Sequence, residues 1–93
     1  MEAYKEELAR FLEGFGNNVR KVRTEEARFS QEHLSSATRL HRTEIGKIEQ
    51  GKVDPRLSTL FILADGLNVT VDELLIGLWV PTERKPSQRG GSW

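Results

Sequence analysis

Leu8, Phe11, Leu12, Phe15, Val19 and Val22 recur at spacings of three and four along the first part of the chain, the signature of a helix with one apolar side. They predict a first helix from about Glu2 to Glu26, with Gly14 and Gly16 as weak points inside it. Ser30 then has the hydroxyl of a good N-cap, and Gln31 and Glu32 follow where acceptors and negative charge suit a helix start. In this second helix Leu34 and Ala37 are expected to face the core, while Gln31, Ser35 and Thr38 stay wet. Leu40, flanked by Arg39 and His41, supplies an apolar plug. A third helix runs from about Arg42 to Gln50, with Ile45 and Ile48 inward and Gly51 as a left-handed C-cap. Asp54 followed by Pro55 reads as the N-cap and first turn of a fourth helix, whose Leu57, Leu60, Phe61 and Ala64 are expected to point inward and which Asn68 ends. Thr70 with Glu73 makes a capping box for a last short helix through Leu74 and Leu75 to Ile76, stopped by Gly77.

The outer side of the third helix changes the picture from architecture to chemistry. Arg42, Thr43, Gly46 and Lys47 share one face there, carrying donors and a glycine and nothing else bulky. Two short helices joined by a tight turn form a unit that can lay its second helix in a DNA groove. The chain's net charge is zero, but it is segregated: residues 14–56 hold nine Lys/Arg and six Asp/Glu, a net +3, against −2 for residues 1–13, −3 for 57–77 and +2 for 78–93. A basic half with an acidic opposite side suits a DNA-docking module, because only the facing charges release counterions.

Ninety-three residues leave room for one domain, and 37% hydrophobic content supports a modest core that gains from dimerisation. The absence of cysteine excludes a disulfide framework and any thiolate metal site. No apolar run is long enough to span a bilayer, and the acidic start MEAYKEE has the wrong polarity for a signal peptide, so a cytoplasmic location is expected. His33 and His41 lie on different elements without a carboxylate cluster, and there is no Gly-rich phosphate loop or Ser, His and Asp grouping. No enzyme, cofactor or metal is expected. Trp79 and Trp93 read as packing or tail residues, and Pro81 to Trp93 as a poorly ordered tail.

The arginine of VRKVR (Arg23), the SQEHL helix start, the RTEIGKIEQG helix, the KVDPRLSTLFILADGL helix and the closing NVTVDELL together resemble the Cro/repressor-type helix-turn-helix family, also called the xenobiotic-response-element family. The likeness runs from Phe15 to Gly77, and it extends to small bacterial regulators with LHRTEI-like recognition helices, restriction-modification controllers among them. It implies an all-α, five-helix, lambda-repressor-like DNA-binding domain over residues 14–77, with an N-terminal helical extension (1–13) and a short C-terminal tail (78–93). It further implies a transcriptional regulator that binds duplex DNA as a homodimer. Arg42, Thr43 and Lys47 match base-contacting positions; Glu44 either accepts from cytosine or holds Arg42 or Lys47 in place. Gln31 matches a residue that spans from the recognition helix to a phosphate, and Arg39, Lys52 and Arg56 are further phosphate candidates. Arg23 and Glu49 match a structural ion pair. Leu8, Phe11, Leu12, Leu78, Trp79 and Val80 are apolar residues that a single domain does not need, and they form the candidate dimer interface.

Four positions depart from the family pattern. Ser35 stands where a small residue is usual, and Arg39 where a glycine turns the chain, at a cost on the order of 1 kcal/mol if φ is positive, so a differently shaped turn is expected. Helix 1 is one residue longer before the SQ motif, with TEEARF where the family usually has a shorter connection containing glycine. His41 replaces a serine or threonine as N-cap. The alternative function, of a different class, is a helix-turn-helix module kept for an unknown protein partner, such as an antitoxin or a coactivator bridge.

Overall fold

The computed structural model describes residues 4–78. The expected helix start at Glu2, and Trp79, Val80 and the rest of the tail, lie outside the described residues. Within them the chain is all-helical, with α1 (Lys5–Lys21), α2 (Gln31–Thr38), α3 (Arg42–Glu49), α4 (Leu57–Leu67) and α5 (Val71–Leu74). Phe15, Val19 and Val22 meet Leu34, Ile45, Ile48, Leu63, Ala64, Leu67 and Leu74 in one core, so every helix gives at least one fully covered side chain. α1 lies across α3, α2 packs between α3 and α4, and α5 rests on α4 and α1.

α1 is continuous through both of its suspect glycines. Gly16 is there for contact: a Cβ on it would fall on the backbone carbonyl oxygens of Ile48 and Glu49 at the end of α3. After Lys21 the helix does not stay α-helical to Glu26. Val22–Glu26 open into a π turn, closed by the amide of Ala27 donating to the Val22 carbonyl (2.9 Å). The extra residue of TEEARF is thus absorbed as a wider turn, and Arg28 then reverses the chain at φ 59°. Burial fades toward the N-terminus: Phe15 is covered, Phe11 and Leu12 are half-buried, and Leu8 is exposed.

The caps expected at three helix starts form. Ser30 Oγ accepts from the His33 amide (3.0 Å), His41 Nδ1 from the Thr43 amide (3.3 Å), and Thr70 and Glu73 make both halves of a capping box. The fourth does not, because α4 begins at Leu57 with Arg56 as a cap lacking any side-chain bond, leaving Asp54 and Pro55 in the preceding loop. Its inward stripe is Thr59, Leu63, Ala64 and Leu67, while Leu57 and Phe61 are 80% and 67% exposed. LSTLFILADGL is apolar on several sides, and packing against α2 and α5 keeps the expected Ala64 buried and Leu60 half-buried on the core while it turns Leu57 and Phe61 outward. α5 is a single turn ending at Leu74; Gly77 follows with φ 72°. Asn18 Nδ2 fastens its end to α1 by donating to the carbonyls of Leu74 and Ile76, each at 2.9 Å.

α2 differs from expectation on one face. Thr38 is buried and Ala37 exposed, because Thr38 lies one turn after Leu34 and its hydroxyl is satisfied locally. It donates to the Leu34 carbonyl (2.7 Å) and accepts from the Leu40 amide (3.1 Å), while Ser35 Oγ donates to the Leu40 carbonyl (2.5 Å). These bonds tie the turn to α2 and set Leu40 half-buried on the core. Arg39 takes φ 67°, so the turn keeps the left-handed shape a glycine would allow, contrary to the altered turn expected. Arg39→Gly is therefore expected to stabilise the protein by about 0.5–1 kcal/mol, the relieved backbone strain exceeding glycine's larger loss of freedom on folding. A melting temperature that failed to rise would show that the arginine side chain compensates for the strain.

Candidate nucleic-acid interface

α3 is held as a rigid bar by its inner side and both ends. Ile45 and Ile48 are fully covered, His41 caps the start, and Gly51 at φ 72° closes the end, with the Lys52 amide donating to the Lys47 carbonyl (2.9 Å) and the Gly51 amide to the Ile48 carbonyl (3.0 Å). Gly51 is required twice over, since a Cβ there would also lie 2.8 Å from the Glu13 Cα of α1.

The end of α3 is locked further by charge. Arg23 reaches from the π turn with Nε 2.6 Å and Nη2 3.0 Å from the two carboxylate oxygens of Glu49, and its Nη1 donates to the Phe29 carbonyl (2.9 Å). Both residues are buried, at 8% and 7% exposure, so the pair works in a medium of low dielectric. Gln31 Nε2 joins it, donating to Glu49 Oε1 at 3.1 Å. Thus the π turn after α1, the start of α2 and the end of α3 meet on one carboxylate, and the orientation of α3 follows from it.

The outer side of α3 is free for a ligand. Arg42, Thr43, Glu44 and Lys47 are all exposed. Arg42 Nη1 lies 3.4 Å from Glu32 on α2, an exposed ion pair. Glu44 makes no bond to Arg42 or Lys47, so its reading as their holder is not what the structure contains; Glu32 takes Arg42 instead. Gly46 faces the Gln31 amide, and a Cβ on it would come no nearer than 3.9 Å, so packing within the chain does not require a glycine there. Arg39, Lys52 and Arg56 are exposed around α3: one in the α2–α3 turn, one past α3 and one at the start of α4. Gln31 is half-buried, committed to Glu49 rather than reaching outward with its whole amide.

Two residues were missed by sequence reasoning. Gln50 is exposed three positions beyond Lys47 and four beyond Gly46, and that spacing was the signal for it. Glu32, ten positions from Arg42 and on another helix, left no local signal. Gln50 also borders a cleft of about 220 Å3 lined by Arg20, Arg23, Gln31, Gly46, Glu49 and Gln50.

A family model described as helix-turn-helix matches residues 19–74, the span from the last turn of α1 to the end of α5. The chain belongs to the helix-turn-helix family. Control protein C.SmaI of Serratia marcescens is 47% identical over 58 residues, covering 62% of this chain and 68% of that protein. Control protein C.MunI of Mycoplasma sp is 38% identical over 60 residues, 64% of this chain and 81% of the relative. The crystal structure of the restriction-modification controller protein C.AhdI from Aeromonas hydrophila superposes with a TM-score of 0.64 at 33% identity, over 68% of this chain and 94% of that one. These similarities make this helix-turn-helix protein an XRE-type DNA-binding transcription regulator and not an enzyme. Among its described residues no helix is long and apolar enough to cross a membrane.

Proposed function

We propose that the protein is a sequence-specific regulator that binds duplex DNA in the cytoplasm as a homodimer, docking α3 in the major groove, with residues 14–77 as the DNA-binding unit. The observation that carries this reading is the division of α3 into two sides: Ile45 and Ile48 sealed in the core and Glu49 locked by Arg23, against an exposed row of Arg42, Thr43, Glu44 and Lys47. Arg42 and Lys47 suit guanine O6 and N7, and Glu44, without an intramolecular partner among the described residues, is available to accept from cytosine N4. Arg39, Lys52, Arg56 and Gln31 hold phosphates and fix the register. The identity to C.SmaI, and the likeness to a restriction-modification controller, support a control role for genes of that kind.

Mobility-shift titrations test the assignment. Arg42→Ala or Lys47→Ala is expected to cost roughly 1–3 kcal/mol on the best site and to relax preference at one base pair, whereas Lys52→Ala weakens all sequences alike. Uniform losses from all three changes would sink base reading by α3.

The dimer rests on apolar side chains left uncovered within one chain. Leu57 and Phe61 stand one turn apart on the outer side of α4, and Ile76 beyond α5 is 65% exposed. Of the interface candidates from sequence, Leu8 is exposed, Phe11 and Leu12 are half-buried, and Leu78 already packs on the core, so α4 supplies the stronger surface. Trp79 and Val80 lie outside the described residues. Wild-type protein is expected to sediment at twice 10.6 kDa at micromolar concentration, and Phe61→Asp as a monomer with weakened operator binding. A wild type that stays at 10.6 kDa, alone and on DNA, overturns the dimer.

A further inference from the structure

Arg20, on the last α-helical turn of α1, belongs to neither the core nor the network that locks α3. It is exposed, its backbone carbonyl accepts from Thr24 Oγ1 (2.9 Å), and its guanidinium has no partner among the described residues. It borders the cleft of about 220 Å3 between α1, the start of α2 and the outer side of α3, together with Gln31, Gly46 and Gln50. The floor of that cleft is electrically balanced. Glu49 is neutralised by two bonds from Arg23, so the net charge that the cleft presents is the single positive charge of Arg20. Gln31 spends one amide hydrogen on Glu49, which fixes which end of the amide is nitrogen and leaves the second hydrogen uncommitted. Gln50 adds an exposed amide on the α3 side. Gly46 leaves the wall low, since nothing but Gln31 lies within 4 Å of where its Cβ would be.

We propose that this cleft seats one backbone phosphate of the bound duplex, with the Arg20 guanidinium and the free amide hydrogen of Gln31 as its donors and Glu49 as the residue that positions Gln31. The proposal rests on the DNA-binding reading above and adds Arg20 and a defined seat to it. The occupant is a phosphate of a polymer because the cleft is open and holds one uncompensated cation. A single exposed arginine binds a free ion weakly, whereas a duplex anchored by α3 brings its backbone to the rim and releases a counterion there. The seat fixes the depth of α3 in the groove and reads no base.

The test uses the full chain with Arg20→Ala, Arg20→Gln and Arg20→Lys, all at an exposed position, on a selected operator and on an unrelated duplex across a salt series. Arg20→Ala and Arg20→Gln are expected to weaken both duplexes alike, by roughly threefold to tenfold at moderate salt, and to reduce the slope of log affinity against log salt by about one per bound protomer. Arg20→Lys restores most of both. A scan of single neutral methylphosphonates along the operator is expected to find one position per half-site that costs the wild type affinity and costs Arg20→Ala nothing further. An unchanged salt slope, a loss confined to the operator, or identical methylphosphonate profiles for wild type and variant overturns the seat. Wild-type protein that binds neither duplex overturns the DNA reading itself, while wild-type binding matched by Arg20→Ala removes the seat alone.

Discussion

Glu49→Gln is expected to destabilise the protein by about 3–5 kcal/mol, because it leaves the buried guanidinium of Arg23 without its counter-charge. The pair has two short charge-assisted bonds and side-chain exposures of 10% and 4%, so water cannot replace the lost carboxylate. In a domain of this size that loss lowers the melting temperature by roughly 12–40 °C. Arg23 would retain its bond to the Phe29 carbonyl, and Gln31 would keep an acceptor only if the new amide turned its oxygen toward it. Replacing both partners, as Arg23→Met with Glu49→Leu, is expected to recover part of the stability, since the cost lies in the stranded charge. Thermal melts decide it: Glu49→Gln melting within a degree of wild type would reduce the pair to a surface contact.

Gly16→Ala is the second large effect. An alanine at an interior helix position normally gains about 1 kcal/mol over glycine. Here the added methyl would stand 2.6 Å from the Glu49 carbonyl oxygen and closer still to that of Ile48, both of them backbone atoms that no rotamer change moves. α1 and the end of α3 must separate, so a net loss of about 2 kcal/mol or more is expected. Gly46→Ala is the control, with the same substitution on a helix where the nearest atom is 3.9 Å away and where the protein should melt at or above the wild-type temperature. If Gly16→Ala melted as high as Gly46→Ala, α1 and α3 would not be in the close contact described.

The contrast between these glycines marks the limit of what could be read from the chain. Gly51 was legible because its place after Ile48 and Gln50 is that of a left-handed cap, a local property. Gly16 looked like a weak helix position because its reason lies on α3, more than thirty residues away. The same division explains the rest. Ser30, His41, Thr70 and Glu73 act on backbone within three residues, and their caps formed as expected. Ile45 and Ile48 were assigned correctly because the other side of α3 is polar, so only one stripe was available. α4 is apolar on several sides, and Leu57 and Phe61 were placed inward when tertiary packing holds them out.

The interface shows the same pattern. Its outward face was legible from spacing, and family resemblance named the Arg23 and Glu49 pair. The bond from Gln31 to Glu49 and the contact from Glu32 to Arg42 depend on how α2 crosses α3, which no local pattern encodes. The π turn has an intermediate standing. One surplus residue in TEEARF was visible, but its absorption as a wide turn, rather than a longer loop, follows from Arg23 having to keep its reach to Glu49.

Selection of bound sequences from random duplex DNA by wild-type protein tests the central claim most directly, since it asks at once whether α3 reads bases and whether two copies do so together. The account predicts enrichment of a near-palindrome whose half-sites lie about 10 base pairs apart, one DNA turn of roughly 34 Å, with guanines at the positions that Arg42→Ala and Lys47→Ala each relax. A folded protein that enriches no motif through successive rounds, or whose motif is unchanged in both variants, would contradict it.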